Sequence, residues 1–174
     1  VKPESATKRL AVSLLSLSAA GLIGIVTRES YTAQAVIPTQ GDRPTVGFGS
    51  TKQADGAPVK LGDTTDPVRA LHTMQAHLSR EEVQFRDSLP GVKLTQGEYD
   101  LYIDFVYQYG ITNWRSSSMR RNLLIGDYRA ACDALLQWKR AAGYDCSIPG
   151  NHRCPGVWTR QLERHAKCLA EQAP

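Results

Sequence analysis

The sequence lacks the ligand spacings on which metal sites are built. It has no C-x-x-C pair, its His72 and His77 are five positions apart rather than four, and His152 is the one histidine between Cys146 and Cys154. A zinc site needs several such ligands converging at close spacing, so no metal is expected, and nothing points to another cofactor. Charge of one sign is also scarce: 21 Lys and Arg against 17 Asp and Glu leave a net +4. The nearest thing to a basic cluster is Arg120-Arg121, which is not the concentrated stripe of a nucleic-acid binder. Long apolar runs are scarcer still, with one from Leu10 to Val26.

What is there suits a folded domain with a short appendage. The chain has 174 residues, 41% of them hydrophobic and 22% charged, enough apolar mass for a sizeable core and enough charge to dissolve it. The mild positive balance is compatible with anionic cell-envelope polymers as partners, and equally with a generic solubilising surface.

The chemistry concentrates between Arg28 and Thr51, R-E-S-Y-T-A-Q-A-V-I-P-T-Q-G-D-R-P-T-V-G-F-G-S-T. Gly41, Pro44, Gly47 and Gly49 bracket short alternating segments and predict a β-hairpin. Glu29, Asp42 and Thr45 are its useful groups: two carboxyls and a hydroxyl, the set a glycosidase uses to protonate a leaving oxygen and to hold or activate water. Acidic residues in such turns are also ordinary turn-formers, so spacing alone leaves both readings open.

The segment resembles the phage-type (T4-like) lysozymes, whose pattern is Glu, then Asp or Cys, then Thr, followed by G-x-G. R-E-S-Y-T matches the Glu end and T-V-G-F-G-S-T the Thr end. Asp42 falls later in the hairpin than the family's second carboxylate, whose slot coincides with Pro38 or Thr39. Near the C-terminus, G-V-W-T-R-Q-L-E-R resembles the family's G-L-x-x-R-R-x-x-E. The resemblance implies a mainly helical α+β fold, with a small β-hairpin lobe on a helical bundle and a cleft between them. It implies hydrolysis of the β-1,4 bond between N-acetylmuramic acid and N-acetylglucosamine in peptidoglycan, leading to host cell lysis. Glu29 would be the acid, Asp42 and Thr45 would position water, and Tyr107, Gln108, Asn113 and Ser117 would line the cleft. A lytic transglycosylase and a non-catalytic peptidoglycan-binding module are the alternatives.

The first 27 residues read as an export segment and 28–174 as the catalytic domain. Lys8 and Arg9 precede the apolar run, an export signature. As a helix its 17 residues would span about 26 Å, slightly short of a hydrocarbon core of about 30 Å. Nine are Leu, Ile or Val, offset by Ser13, Ser16, Ser18, Gly21 and Gly24, so insertion should be marginal. A cleaved signal peptide, with Ser18-Ala19-Ala20 as its cleavage site, and a permanent anchor are two readings. The third, which we take as the expectation, is a signal-arrest-release segment like those of some relatives in this family. On that reading the chain is tethered to the inner membrane through residues 10–26 and then released to the periplasm as a monomer. Tethering would hold Glu29 at the membrane surface, away from the sugar. The segment has no cysteine, so its own thiol cannot be the switch.

Farther along, Lys52–Leu61 reads as loop. A helix should start with Thr65 as N-cap and present Val68, Leu71, Met74, Leu78 and Phe85 on one face. Thr95 and Glu98 form a T-x-x-E capping box ahead of an apolar helix through Tyr109, in which Asp104 reads as structural. Arg129–Ala141 and the tail, with Val157, Leu162 and Leu169 as its apolar positions, read as further helices. Cys132, Cys146, Cys154 and Cys168 allow three pairings. A Cys146–Cys154 bridge would close a local loop and a Cys132–Cys168 bridge would join two late helices, which an exported chain permits.

Overall fold

The computed structural model describes residues 8–38 and 41–172. The chain divides into two compact units, one of Ser18–Gln84 and one that combines the described residues before Ser18 with the segment from Phe85 onward.

The apolar run does not form the single 17-residue helix expected of it. Leu10–Ala11 (β1) pairs antiparallel with Lys93–Leu94, Val12–Leu14 makes a 3-10 turn, and a helix, α1, spans only Ala19–Val26. Ser18 decides where α1 starts. Its backbone is extended and its Oγ accepts from the Gly21 N–H at 3.0 Å, which is N-cap geometry. Upstream, Val12 and Leu15 are 2% and 5% exposed, and the Val12 N–H donates to the Val92 carbonyl at 3.1 Å. Burying each of those side chains contributes about 1.5–3 kcal/mol, which a continuous helix over the run would forgo. No helix among the described residues is long and apolar enough to cross a membrane.

In the Ser18–Gln84 unit, Thr32–Val36 (β2) and Thr45–Gly47 (β3) form the expected antiparallel hairpin, with Thr32 opposite Gly47 and Val36 opposite Thr45. The helix α2, Pro67–Asp87, starts here and its last turn belongs to the other unit. Its cap is Asp66 and not Thr65: Asp66 Oδ1 accepts from the Arg69 N–H at 2.9 Å. Pro67 explains the shift, because proline is favoured as the first helical residue and makes its predecessor the cap. Met74, Leu78 and Phe85 are buried on α2 as expected, but Val68 is 65% and Leu71 39% exposed. Ala70 takes the inward position in the first turns.

The other unit is helical. After Lys93–Leu94 (β4) come α3 (Gln96–Tyr109), α4 (Ile111–Ser116), α5 (Ser118–Leu124) and α6 (Tyr128–Ala134). The hairpin of Arg140–Ala141 (β5) and Tyr144–Asp145 (β6) follows, and then α7 (Pro155–Ala170). The capping box of α3 is complete: the Glu98 N–H donates to Thr95 Oγ1 at 3.0 Å and the Thr95 N–H to Glu98 Oε2 at 2.9 Å. Glu98 is buried, and Arg9 reaches it with two hydrogen bonds of 3.0 and 2.7 Å while stacking 3.9 Å from the Tyr128 ring centroid. The N-terminal segment is thereby pinned to the start of α3. Trp114 fills the centre, its indole N–H donating to Ser88 Oγ at 2.9 Å and its ring 4.8 Å from Phe85 and 5.2 Å from Tyr102.

The helix expected over Arg129–Ala141 is shorter. It ends at Ala134, turns 3-10 through Gln137, and gives way to the β5–β6 hairpin. The two-residue turn has Ala142 at φ 47° and Gly143 at φ 82°, the paired left-handed geometry that a tight hairpin needs. Both bridges are formed: Cys132–Cys168 joins α6 to α7, and Cys146–Cys154 closes the loop before α7. With a separation of 36 residues, the former contributes about 4 kcal/mol in the chain-entropy picture.

The buried stripe of α7 is also not the expected one. Leu162 is 45% exposed, whereas Gln161, Arg164 and Cys168 face inward. Arg164 is buried because Asp104 awaits it: Arg164 Nε donates to Asp104 Oδ2 at 2.6 Å, its Nη2 to the Asp104 carbonyl at 2.9 Å, and Arg160 Nη2 to Oδ1 at 2.5 Å. Burial alone would push the Asp104 pKa up, but the charges and hydrogen bonds of Arg164 and Arg160 outweigh it and hold the carboxyl below its ordinary value. Asp104→Ala should therefore lower unfolding stability at neutral pH by about 3–5 kcal/mol, the cost of an unpaired buried charge. A depressed carboxyl pKa contributes stability above its unfolded value that is lost as pH falls through the folded one. Chemical denaturation of wild type and variant should accordingly converge in strong acid.

Candidate active site

Glu29 stands on the turn that ends α1. The Arg28 N–H donates to the Ile25 carbonyl at 3.1 Å and the Glu29 N–H to the Val26 carbonyl at 3.2 Å, while the Thr27 hydroxyl donates back to Ile23 at 2.9 Å. The last carbonyls of α1 thus wind the chain tightly up to Glu29 and fix where its half-buried side chain leaves the backbone.

The hairpin meets it there. After β3, the Val46 and Ser50 N–H groups and carbonyls exchange two hydrogen bonds of 3.0 and 3.1 Å, folding V-G-F-G-S into a tight loop. Gly49 has φ +75°, and a Cβ built on it would lie 3.4 Å from Glu29 Oε2. The Glu29 carboxyl therefore lies against glycine backbone. Gly47 is constrained from the other side: its φ is +66° and a Cβ would sit 2.7 Å from the Ala70 Cβ on α2. Tyr31 closes the arrangement, its ring 5.4 Å from Phe48 and its hydroxyl donating to the Thr65 carbonyl at 3.3 Å.

Thr45 begins β3 opposite Val36, half-buried, with its hydroxyl 3.5 Å from the Val36 carbonyl. Asp42 is exposed on the connection between the two strands and makes no hydrogen bond or ion pair among the described residues. Pro38 is exposed on the same connection, and Thr39 lies outside the described residues. An apolar groove of about 320 Å³ on this unit is bounded by Val26, Phe48, Pro67, Val68, Leu71, His72 and Gln75, so the outward Val68 and Leu71 of α2 line a surface depression.

Tyr107, Gln108, Asn113 and Ser117 belong to the helical unit. Tyr107 and Gln108 are half-buried near the end of α3, and Gln108 Oε1 is buried with no hydrogen-bond partner. Asn113 Nδ2 donates to the Tyr109 carbonyl at 2.7 Å. Ser117 is 3% exposed and its Oγ accepts from the Arg120 N–H at 3.2 Å as the cap of α5. The last two side chains thus secure helix ends.

Outside the hairpin, α2 carries a partly buried titratable pair, His77 and Glu81. Glu81 on α2 has a buried Oε2 with no hydrogen-bond partner, and desolvation pushes its pKa up to about 7. His77 Nε2 lies 3.7 Å from its Oε1, yet burial, Arg80 and Lys52 push the His77 pKa down. Both shifts favour uncharged forms, so the contact is not a strong ion pair near neutrality. The i,i+4 spacing of His77 and Glu81 was the available signal; burial of that helix face was not visible in it.

The phage lysozyme family matches residues 27–163, from just before Glu29 into α7. The chain belongs to the phage lysozyme family. As a member it is a glycoside hydrolase that acts on peptidoglycan. It is similar to the endolysin of Salmonella phage P22, at 29% identity over 132 residues that cover 74% of this chain and 86% of the relative. Among solved structures, a P22 lysozyme variant superposes with a TM-score of 0.71 at 27% identity, covering 90% of this chain and 99% of that one. The endolysin of Escherichia coli O157:H7 phage FAHEc1 shares the fold, with a TM-score of 0.75 at 23% identity over 92% and 98% of the two chains. The mainly helical α+β lysozyme fold with small antiparallel β pairs is thereby established.

The close approach of Gly49 to Glu29 makes a specific prediction. Gly49→Ala places a methyl group against the carboxyl and imposes a left-handed backbone on alanine, costing about 1–2 kcal/mol of stability. Displacement of the carboxyl should lower the rate of peptidoglycan hydrolysis about ten- to a hundred-fold, measured by turbidity loss of purified cell walls. An unchanged rate would mean that Glu29 does not work from this position.

Proposed function

We propose that Glu29 is the general acid that protonates the glycosidic oxygen of the β-1,4 bond between N-acetylmuramic acid and N-acetylglucosamine. The observation that carries this is the seating of the Glu29 carboxyl against Gly49, at the meeting point of α1 and the hairpin. A general acid must lie within hydrogen-bond reach of the oxygen it protonates, and the fixed seat of the side chain provides a defined position for that. Asp42, held in solvent on the strand connection, activates the attacking water, and the Thr45 hydroxyl helps to position it. Glu29→Gln keeps the shape of the side chain and removes its acid function. Mass spectrometry of fragments from purified peptidoglycan should show reducing-end muropeptides from wild type and none from the variant. Anhydro-ended products would instead assign a lytic transglycosylase, and an equally active, folded variant would discard Glu29 as the acid.

Residues 10–26 act, on this proposal, as a signal-arrest-release segment, tethered in the inner membrane before the enzyme reaches the periplasm. The apolar character of the run and the winding of Glu29 onto the end of α1 support it. While the run is in the bilayer, β1 cannot pair with β4 and α1 cannot join its unit, so Glu29 has no fixed place. Leucine at Ser16, Ser18, Gly21 and Gly24 should shift the chain to the membrane fraction and delay lysis by strengthening insertion. Lysis on the normal schedule would remove the tether from the account.

A further inference from the structure

The loop stapled by Cys146–Cys154 has no part in the chemistry above, yet it builds a small pocket of its own. The pocket, about 420 Å³, is lined by Tyr144, Asp145, Ile148, Gly150, Asn151, His152 and Arg153. Tyr144 and Ile148 are 47% and 58% exposed, so two large apolar side chains border it from solvent. The Arg153 guanidinium lies 4.1 Å from the Tyr144 ring centroid and makes no hydrogen bond or ion pair among the described residues.

The polar groups around the pocket divide into spent and unspent ones. Asp145 is spent: Oδ1 accepts from the Ser147 N–H at 2.9 Å and from the Ser147 hydroxyl at 2.6 Å, and Oδ2 pairs with Lys139 Nζ at 2.9 Å. Asn151 is spent as well, its Nδ2 donating to the Asp145 carbonyl at 2.9 Å and its Oδ1 accepting from the Arg153 N–H at 2.8 Å. What is left is the planar donor fork of Arg153, held over the Tyr144 ring, with His152 also among the lining residues. An arginine so fixed loses little freedom on binding and matches a carboxylate bidentately. The disulfide and the hairpin turn pre-organise the loop, which lowers the ordering cost of association.

We propose that this pocket binds the peptide stem of peptidoglycan: a stem carboxylate pairs with Arg153, and the adjacent aliphatic side chain rests on Ile148 and Tyr144. The inference rests on the reading of the chain as a peptidoglycan hydrolase and deepens it, because the stem is the part of that substrate that carries free carboxylates next to methyl and methylene groups. A site for it holds wall material by a group other than the glycan chain.

The test is a titration that requires no turnover. The oxidised full chain, isotope-labelled for NMR, is titrated with a synthetic stem tripeptide, L-alanyl-γ-D-glutamyl-meso-diaminopimelic acid. The expected result is saturable shifts at Tyr144, Ile148 and Arg153. They should weaken about ten-fold or more in Arg153→Met, the loss of a charge-assisted hydrogen bond, and recover in part in Arg153→Lys. A tripeptide with all carboxyls amidated should leave these signals unmoved. Shifts that persist in Arg153→Met, shifts produced equally by the amidated peptide or by acetate alone, or no shifts in the loop would each overturn the proposal. Because binding is read without hydrolysis, failure here is separable from failure of the Glu29 assignment, which the muropeptide products report.

Discussion

The backbone of Gly47 lies so close to Ala70 that a single added carbon atom would stand 2.7 Å from the alanine Cβ. Much of the Ser18–Gln84 unit depends on that approach. It presses β3 against the start of α2, and with β3 come Thr45 on one side and the Phe48–Gly49 turn on the other. Gly49 is thereby delivered to the Glu29 carboxyl. Close approach of backbone to helix is possible only where neither partner has a large side chain and the strand residue tolerates a positive φ. The two glycines of T-V-G-F-G therefore have different duties, one toward the helix and one toward the acid.

The helical unit rests on buried polar contacts as much as on its aromatic centre. Asp104 on α3 gathers Arg160 and Arg164 from α7, two turns' worth of a helix whose inward stripe would otherwise look too polar to bury. Glu98 at the other end of α3 caps its own helix and receives Arg9 from the N-terminal segment. Such contacts add directional demands that apolar packing lacks, because a misplaced charge costs far more than a misplaced methyl group. The Cys132–Cys168 bridge ties α7 to α6 and limits how far these partners can separate.

The apolar run joins these themes to the proposed life history of the enzyme. The same residues that suit a marginal membrane segment are, in the folded chain, shared between the two units, Leu10–Leu17 in one and Ser18–Val26 in the other. Ser18, one of the residues that weaken insertion, also supplies the cap of α1. The proposed tether would need this compromise: apolar enough to insert, interrupted enough to leave and fold.

Much was readable before any coordinates. Alternation and turn residues gave away the β2–β3 hairpin, the T-x-x-E box marked the start of α3, and the apolar density of Tyr99–Val106 announced a core helix, since these depend on local geometry and on side chains a few positions apart. R-E-S-Y-T and T-V-G-F-G-S-T pointed to the family through their resemblance to the phage-type lysozymes. Tertiary structure decided what periodicity leaves undetermined. It divided Leu10–Val26 because Val12 and Leu15 gain more from burial beside β4 than from a continuous helix. It turned Arg164 inward and Leu162 outward because a carboxylate 60 positions away stood ready to pair. It cut α6 short to make the β5–β6 hairpin, and it brought Glu29 to Gly49. Helix starts and turns are set by neighbours in sequence, whereas burial, ion pairing and the meeting of a carboxyl with a distant backbone are set by neighbours in space.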